Sequence, residues 1–401
     1  MSGARHRETR FLSLYALAWA GSTIAYVPFL TLLLPMQVEA LAGGQAVRWL
    51  ALTTFLGAVV ASVANVAFGW ISDLAGRRRP FVLAGLTLSS VMLQAAPHAS
   101  TLAGLIAVIA LWQAGLNLMI GPLAAWAGDQ VPDRRKGMLG GLLAFAPASG
   151  ALAGALGTWG GGLGGGLGGG HGSERMFALV GAIVIACVLP IVVLGKDGGA
   201  DHDEAVSAGS EVARKVIRGM ATRMWVARLL VQISEASLFA FFYLWLRSVD
   251  PGLGGGAIAR ILLAAMVIGA VVALFAGRRS DRTGRPVTPL MFGALGAAVG
   301  LAIMALSSSR DGAIAGYIVF GVSTSAFLAL HSAHTLRVLP DSRRRGRDLG
   351  LFNLTNTIPS LTVPALTLAL VPSLGFAALF LALAVLAGLA VGLLAGMREA
   401  A

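Results

Sequence analysis

Three residues at helical spacing carry the most chemistry in this sequence. Arg228, Gln232 and Glu235 stand at i, i+4 and i+7 inside an otherwise apolar stretch, which puts all three on one helix face. Glu235 lies about 18 Å along the helix from Arg223, at 1.5 Å per residue. If the stretch crosses a bilayer, that is near the midplane, where a charged side chain costs at least about 2.5 kcal/mol. Such a carboxylate must be paired, protonated or open to a water-filled cavity, and one that can change its protonation carries protons. A static ion pair with Arg228 is the competing structural role. His331 and His334, at i, i+3, could touch substrate, relay protons or pack through hydrogen bonds. No carboxylate or cysteine nearby completes a metal site with them. Two further polar faces come from Gln113 and Asn117 at i, i+4, followed by Trp126, and from Trp19 and Tyr26 with Tyr15, Ser22 and Thr23. The aromatics of the second face suit a core or membrane belt as well as a sugar platform.

None of these groups forms a catalytic arrangement. The sequence has no G-x-S-x-G, no P-loop and no H-E-x-x-H, so an enzyme is not expected, nor is a metal or another cofactor. The glycine-rich stretch 157–172 follows no strand and reads as a flexible connector rather than a phosphate cradle.

The elements that position these residues are set by composition. Hydrophobic residues make up 57% of the 401-residue chain and charged residues 12%, with mean hydropathy +0.80. A soluble domain carries roughly 25% charged residues, so lipid must be the solvent here. The net charge of +12 could suggest nucleic acid, but the basic residues fall in short clusters between apolar runs. Cys187, the single cysteine, cannot form an internal disulfide and is expected to pack. A bilayer span takes about 20 apolar residues. Twelve segments meet this: 11–37, 47–72, 80–97, 101–128, 137–158, 176–195, 223–247, 257–277, 287–307, 312–338, 347–371 and 374–396. They predict an all-α membrane protein of twelve transmembrane helices. A first bundle of six covers 1–195, a polar cytoplasmic linker 196–222, and a second bundle of six 223–401. The basic stretch before the first segment has no cleavage site, which predicts a retained span. With both termini in the cytoplasm, 24 of the 30 basic residues lie on the cytoplasmic side, five on the other and Arg228 within a span. That asymmetry fixes the orientation in the cytoplasmic (inner) membrane.

A short loop occurs twice. Gly69-Trp-Ile-Ser-Asp73-Leu-Ala-Gly76-Arg77 recurs 208 residues on as Gly277-Arg-Arg-Ser-Asp281-Arg-Thr-Gly284-Arg285. Pro132-Asp133 and Pro340-Asp341, each before a basic run, keep the same offset, and so do Asp129 and Arg337. Two unrelated loops sharing one offset mark a duplicated unit. Gly69 and Gly277 are expected to let helices approach closely. Asp73 and Asp281 are anions at the membrane edge that can face a helix amino terminus or a guanidinium. Asp129 and Arg337 carry opposite charge at equivalent positions and could pair. Arg78 and Arg79 could equally serve a lock or merely set topology.

The loop G-W-I-S-D-L-A-G-R-R-R-P-F at 69–81 resembles the pattern G-x-x-x-D-x-x-G-R-[RK] between helices two and three of the major facilitator superfamily, and its copy stands between helices eight and nine. The resemblance extends over the chain through span count, repeat and orientation. It implies two pseudo-symmetric six-helix bundles, with helices 1, 4, 7 and 10 lining a central cavity and helices 3, 6, 9 and 12 facing lipid. It implies that Asp73 acts on the start of helix eleven near Gly346, and Asp281 on the start of helix five near Gly137, closing the cytoplasmic side in one state. The function implied is a monomeric secondary transporter that moves a small-molecule substrate by alternating access. Residues 72–81 and 129–137 are most similar to the sucrose-type and glycoside–cation symporters. This favours a proton-coupled symporter for a small polar solute such as a sugar or glycoside. No aspartate stands within helices 1 or 2, where that branch keeps its coupling carboxylate. Proton-coupled efflux of amphipathic compounds is the alternative, and a membrane sensor that has lost transport is a third reading.

Overall fold

The computed structural model describes residues 2–131, 146–157, 172–195, 211–285, 287–338 and 345–397, and all regular structure among them is helical. The helices are α1 (Ser2–Pro28), α2 (Leu34–Ala42), α3 (Ala46–Ala75), α4 (Arg79–Ala95), α5 (Leu102–Gln130), α6 (Ala146–Gly157), α7 (Gly172–Leu194), α8 (Glu211–Val249), α9 (Gly255–Thr283), α10 (Val287–Leu306), α11 (Arg310–Val338) and α12 (Arg345–Ala395). Local sequence explains the ends. Thr101 caps α5 by accepting the Gly104 N–H at 3.1 Å, as an N-cap hydroxyl does, and α5 stops just before Pro132. Between α1 and α2 the chain makes a π-turn, Phe29–Leu33, in which the Leu34 N–H reaches Phe29 O. Pro35 has no N–H to give to Thr31, and the wider turn absorbs that lost bond.

The duplicated loop has duplicated geometry. Helices α3 and α9 end at Ala75 and Thr283, and α4 and α10 begin at Arg79 and Val287; each pair is 208 apart. Gly76 (φ 61°) and Gly284 (φ 67°) follow the two ends. This left-handed conformation is open to glycine at little cost, and the Gly284 N–H closes the turn on Ser280 O at 3.0 Å.

Nine helical stretches among the described residues are long and apolar enough to cross a membrane. Stretch 8–72 holds the first two expected spans, and 358–395 holds the twelfth with part of the eleventh. The fifth expected span, 137–158, is described only from residue 146. The set is thus compatible with twelve. Helix α12 is broken at Gly375 (φ 74°), where the last two spans divide. Helix α8 begins at Glu211, so the second half of the expected linker is helical.

The chain divides into two compact units: 1–202 with 254–259, and 203–253 with 260–401. In the first, α1 packs on α6 and α7, α5 on α3 and α4, and α4 on α7. In the second, α8 packs on α11 and α12, and α10 on α11 and α12. The duplication extends to backbone contacts. A Cβ on Gly85 would lie 2.3 Å from Met119 N, and one on Gly293 2.9 Å from Phe327 Cβ; 85 and 293, like 119 and 327, are 208 apart. At Gly69 the approach is of backbones, since a Cβ on Gly121 of α5 would lie 3.7 Å from Gly69 N, but neither Gly69 nor Gly277 is itself the tightest point. A Cβ on Gly69 would meet nothing within 4 Å, and one on Gly277 only the tip of Leu330 at 3.3 Å. The tight contact sits two turns into the next helix instead. Cys187 packs as expected, its Cβ 2.6 Å from where one on Gly21 would stand. Exposed large apolar side chains crowd α3, α7, α9 and α10, but among the described residues α1 and α5 each bear one, Leu17 and Leu111, α11 only Val319, and α8 none.

Candidate functional site

The second unit brings Arg228, Gln232 and Glu235 together with two hydroxyls that the sequence alone did not single out. Arg228, half-buried on α8, donates from Nε to Thr355 Oγ1 on α12 (3.1 Å) and from Nη1 to Ser332 Oγ on α11 (2.9 Å). A guanidinium has five N–H donors; the others have no protein partner among the described residues. Gln232 donates from Nε2 to Glu235 Oε2 at 2.8 Å, and its own Oε1 is buried without a donor. Arg228 and Glu235 do not form the ion pair that was the alternative. A half-buried cation is therefore hydrogen-bonded by neutral hydroxyls, and a carboxylate two turns deeper by a neutral amide. Ser332 and Thr355 were hidden from sequence because lone hydroxyls are common in membrane helices. Tyr317 on α11 stacks on Phe242 of α8, with ring centroids 3.9 Å apart.

His331 sits in a packing position. It is fully buried, its Nε2 bonds Met224 O across α8 and α11 at 2.9 Å, and its ring lies 5.5 Å from that of Phe327. The side chain of His334 lies outside what the structure describes. Among the described residues no cluster of three His, Cys, Asp or Glu could hold a metal.

In the first unit the polar residues mostly bond one another. Asn117 accepts from Asn65 at 3.1 Å and donates to Gln113 O at 2.9 Å, which occupies it as an interhelical bridge between α3 and α5. Gln113 lies half-buried over Gly57 of α3. Trp19, half-buried, stacks on buried Tyr15 (5.9 Å), and Trp126 packs in the core edge-on to Phe11 (5.9 Å). Tyr26 is half-buried on α1. Thr23 donates to Ala146 O at 2.7 Å, joining α1 to α6.

In the repeated loops, the side chains of Asp73, Asp281, Asp129 and Arg337 lie outside the description, as does the Gly137 region. The arginine run does more than set topology. Arg78 donates to Ser72 Oγ at 2.7 Å. Arg79 caps the carboxyl end of α7, with Nε to Val192 O and Nη2 to Val193 O, both 2.7 Å. Orphan carbonyls and the negative helix end both favour a cation there. In the second unit Arg223 plays the same part for α12, donating to Gly396 O at 2.6 Å. Arg77 and Arg285 are exposed.

A family model described as Major Facilitator Superfamily matches residues 11–310 and 224–400. No curated protein matches the sequence significantly. Among solved structures, the fold is similar to a bacterial homologue of the human lysosomal transporter Spinster in an inward-facing, unoccupied conformation. The TM-score is 0.69 at 15% identity, covering 98% of this chain and 96% of that one. It is also similar to a POT family transporter in complex with a thioalcohol-conjugated peptide, with TM-score 0.68 at 12% identity, covering 97% and 94%.

Proposed function

The chain belongs to the Major Facilitator Superfamily and is a multi-pass membrane transporter, not an enzyme; on that premise we propose that it moves a small polar organic solute across the cytoplasmic membrane by alternating access, coupled to protons. The observation that carries this reading is the charge pattern of α8. Arg228 and Glu235 share one face of a membrane helix, feel each other's charge without forming an ion pair, and take their hydrogen bonds from neutral groups. An inert helix gains nothing from such an arrangement, and an ionisable residue within the membrane is a functional site by default. Glu235 is the proton carrier. Gln232 orients it, and Arg228 with Ser332 and Thr355 meets the solute. His331 positions α11 against α8.

Two halves of like build rock about this region. The loops at Asp73 and Asp281 serve as cytoplasmic gates, with Gly76 and Gly284 holding their turns and Asp129 and Arg337 beside them. Both termini face the cytoplasm, and the working unit is a monomer. The local likeness of residues 72–81 to sugar symporters makes a sugar or glycoside the first class to try. Purified protein in liposomes should show solute counterflow, and a proton gradient should turn counterflow into accumulation. Counterflow with no response to the gradient refutes the coupling, and no counterflow of any polar solute refutes the carrier.

A further inference from the structure

We propose that the solute carries an anionic group, and that this group docks on Arg228 and draws the proton onto Glu235. The inference rests on the carrier reading above and adds a substrate class to it. Arg228 is a half-buried cation whose protein partners are Thr355 Oγ1 and Ser332 Oγ. Hydroxyls satisfy N–H groups without cancelling charge, and a cation in a membrane helix offset only by a carboxylate beyond ion-pair distance, Glu235, is costly. The described side chains of α12, at 355 and 358–395, include no ionisable group, and those of α11 are Tyr317, His331 and, at its start, Asp311 and Arg310, which pairs with Asp250 just beyond α8. His331 is committed to Met224 O. No described acid on the neighbouring helices therefore pairs with Arg228, and its charge is offset only by Glu235 on α8. Its free N–H groups form a planar edge that suits a carboxylate, sulfonate or phosphate bidentately. A neutral sugar would leave the charge as it is.

Coupling follows from placement. Glu235 stands seven residues along α8, about 10.5 Å by helical rise. An anion on Arg228 and an ionised Glu235 would repel each other; across about 10 Å of partly buried space the effect is on the order of tenfold in affinity. The anion thus binds better when Glu235 is protonated. By linkage the anion also promotes that protonation. Anion and proton load together, with Gln232 able to accept from a protonated Glu235 through its unoccupied Oε1.

The test is binding to purified protein in a neutral detergent, read by calorimetry or thermal shift, with paired probes that differ in one charge: methyl glucuronide against methyl glucoside, and lactate against methyl lactate. In at least one pair the acid should bind about tenfold or more tightly than its neutral partner, and Arg228→Gln should abolish the difference. Acid affinity should rise as pH falls. Glu235→Gln should bind as tightly as the wild type does at low pH, with no further pH dependence. Equal binding of acid and neutral partners, or of no acid at all, overturns the proposal. So does a pH dependence that survives Glu235→Gln. The probe pairs need no variant, so a misfolded Arg228→Gln protein does not rescue the idea. Counterflow of neutral solutes with no preference for acids would sink this inference and leave the carrier standing.

Discussion

Replacing Glu235 by glutamine separates the carrier from the coupling. The change removes the titrating oxygen and keeps the length and shape of the side chain. Gln232 donates to Glu235 Oε2 at 2.8 Å, and an amide oxygen accepts the same bond, so packing of α8 against α11 and α12 should hold. Thermal unfolding in detergent should move by no more than about 2–4 °C, the effect of about 1 kcal/mol in a large domain. The functional change is much larger. A proton that travels with each solute converts a pH difference of one unit into about 1.36 kcal/mol, or tenfold accumulation. The variant cannot carry that proton, so accumulation should fall from as much as about tenfold to none. Exchange of saturating solute across the same membrane, with no gradient, should persist. Both are measured in one batch of proteoliposomes with labelled solute, and a trapped pH dye reports whether solute entry brings protons. If the variant still accumulates solute and acidifies the vesicles as the wild type does, Glu235 is not the carrier and the charge pattern of α8 has been misread.

Three further predictions concern the frame that holds this site. Arg79→Gln removes both bonds to Val192 O and Val193 O and, at a partly exposed site, should lower stability by about 1–2 kcal/mol; Arg77→Gln, at an exposed position, should stay within about 0.5 kcal/mol, both read by thermal unfolding in detergent. Gly76→Ala and Gly284→Ala should each cost about 1–2 kcal/mol, since both residues have positive φ, and unequal losses would speak against twin turns. Gly85→Ala forces a methyl to within 2.3 Å of the Met119 backbone and should cost 1–3 kcal/mol or more by overpacking. Gly69→Ala meets nothing within 4 Å and should be neutral or gain from the better helix propensity; a loss comparable to that of Gly85→Ala in the same assay would refute the assignment of close contact.

Much of the frame was legible because it rests on patterns with a fixed period. The apolar runs marked the spans, and the 208-residue offset anticipated where α3 and α9 end. The structure then shows the same offset in a contact the sequence did not single out, at Gly85 and Gly293. What the sequence concealed depends on direction. Gly69 looked like the contact glycine because small residues mark close helices, and α5 does approach it at Gly121, but its own missing side chain points into open space. His331 and His334 looked equivalent at i, i+3, yet burial commits His331 to a backbone carbonyl of α8. Thr355 was overlooked because a lone hydroxyl says nothing until an arginine points at it. The arginines at 77–79 could not be sorted by sequence either, since a cap is defined by where a neighbouring helix stops.

The structural repeat and the chemical asymmetry belong together. Turns, helix ends and glycine contacts recur at one offset, as two lobes of like stiffness require. The charges within α8 do not recur. Carried back 208 residues, Arg228, Gln232 and Glu235 fall on Ala20, Ile24 and Val27, and no charged residue stands between Phe11 and Gln37. Ile24 and Val27 are buried, and Val27 lies against Gly150, where an added Cβ would come within 2.7 Å of it. The first unit has thus given these positions to close packing of α1 on α6. A second buried cation and carboxylate in that unit would add a second desolvation cost and a second proton per cycle. One charged helix in one lobe is enough to sense the solute, and it lets the other lobe remain a passive, well-packed partner. On this view, transplanting the triad onto α1 should destabilise the protein, because charge would enter a tight apolar contact, and should not create a second coupled site.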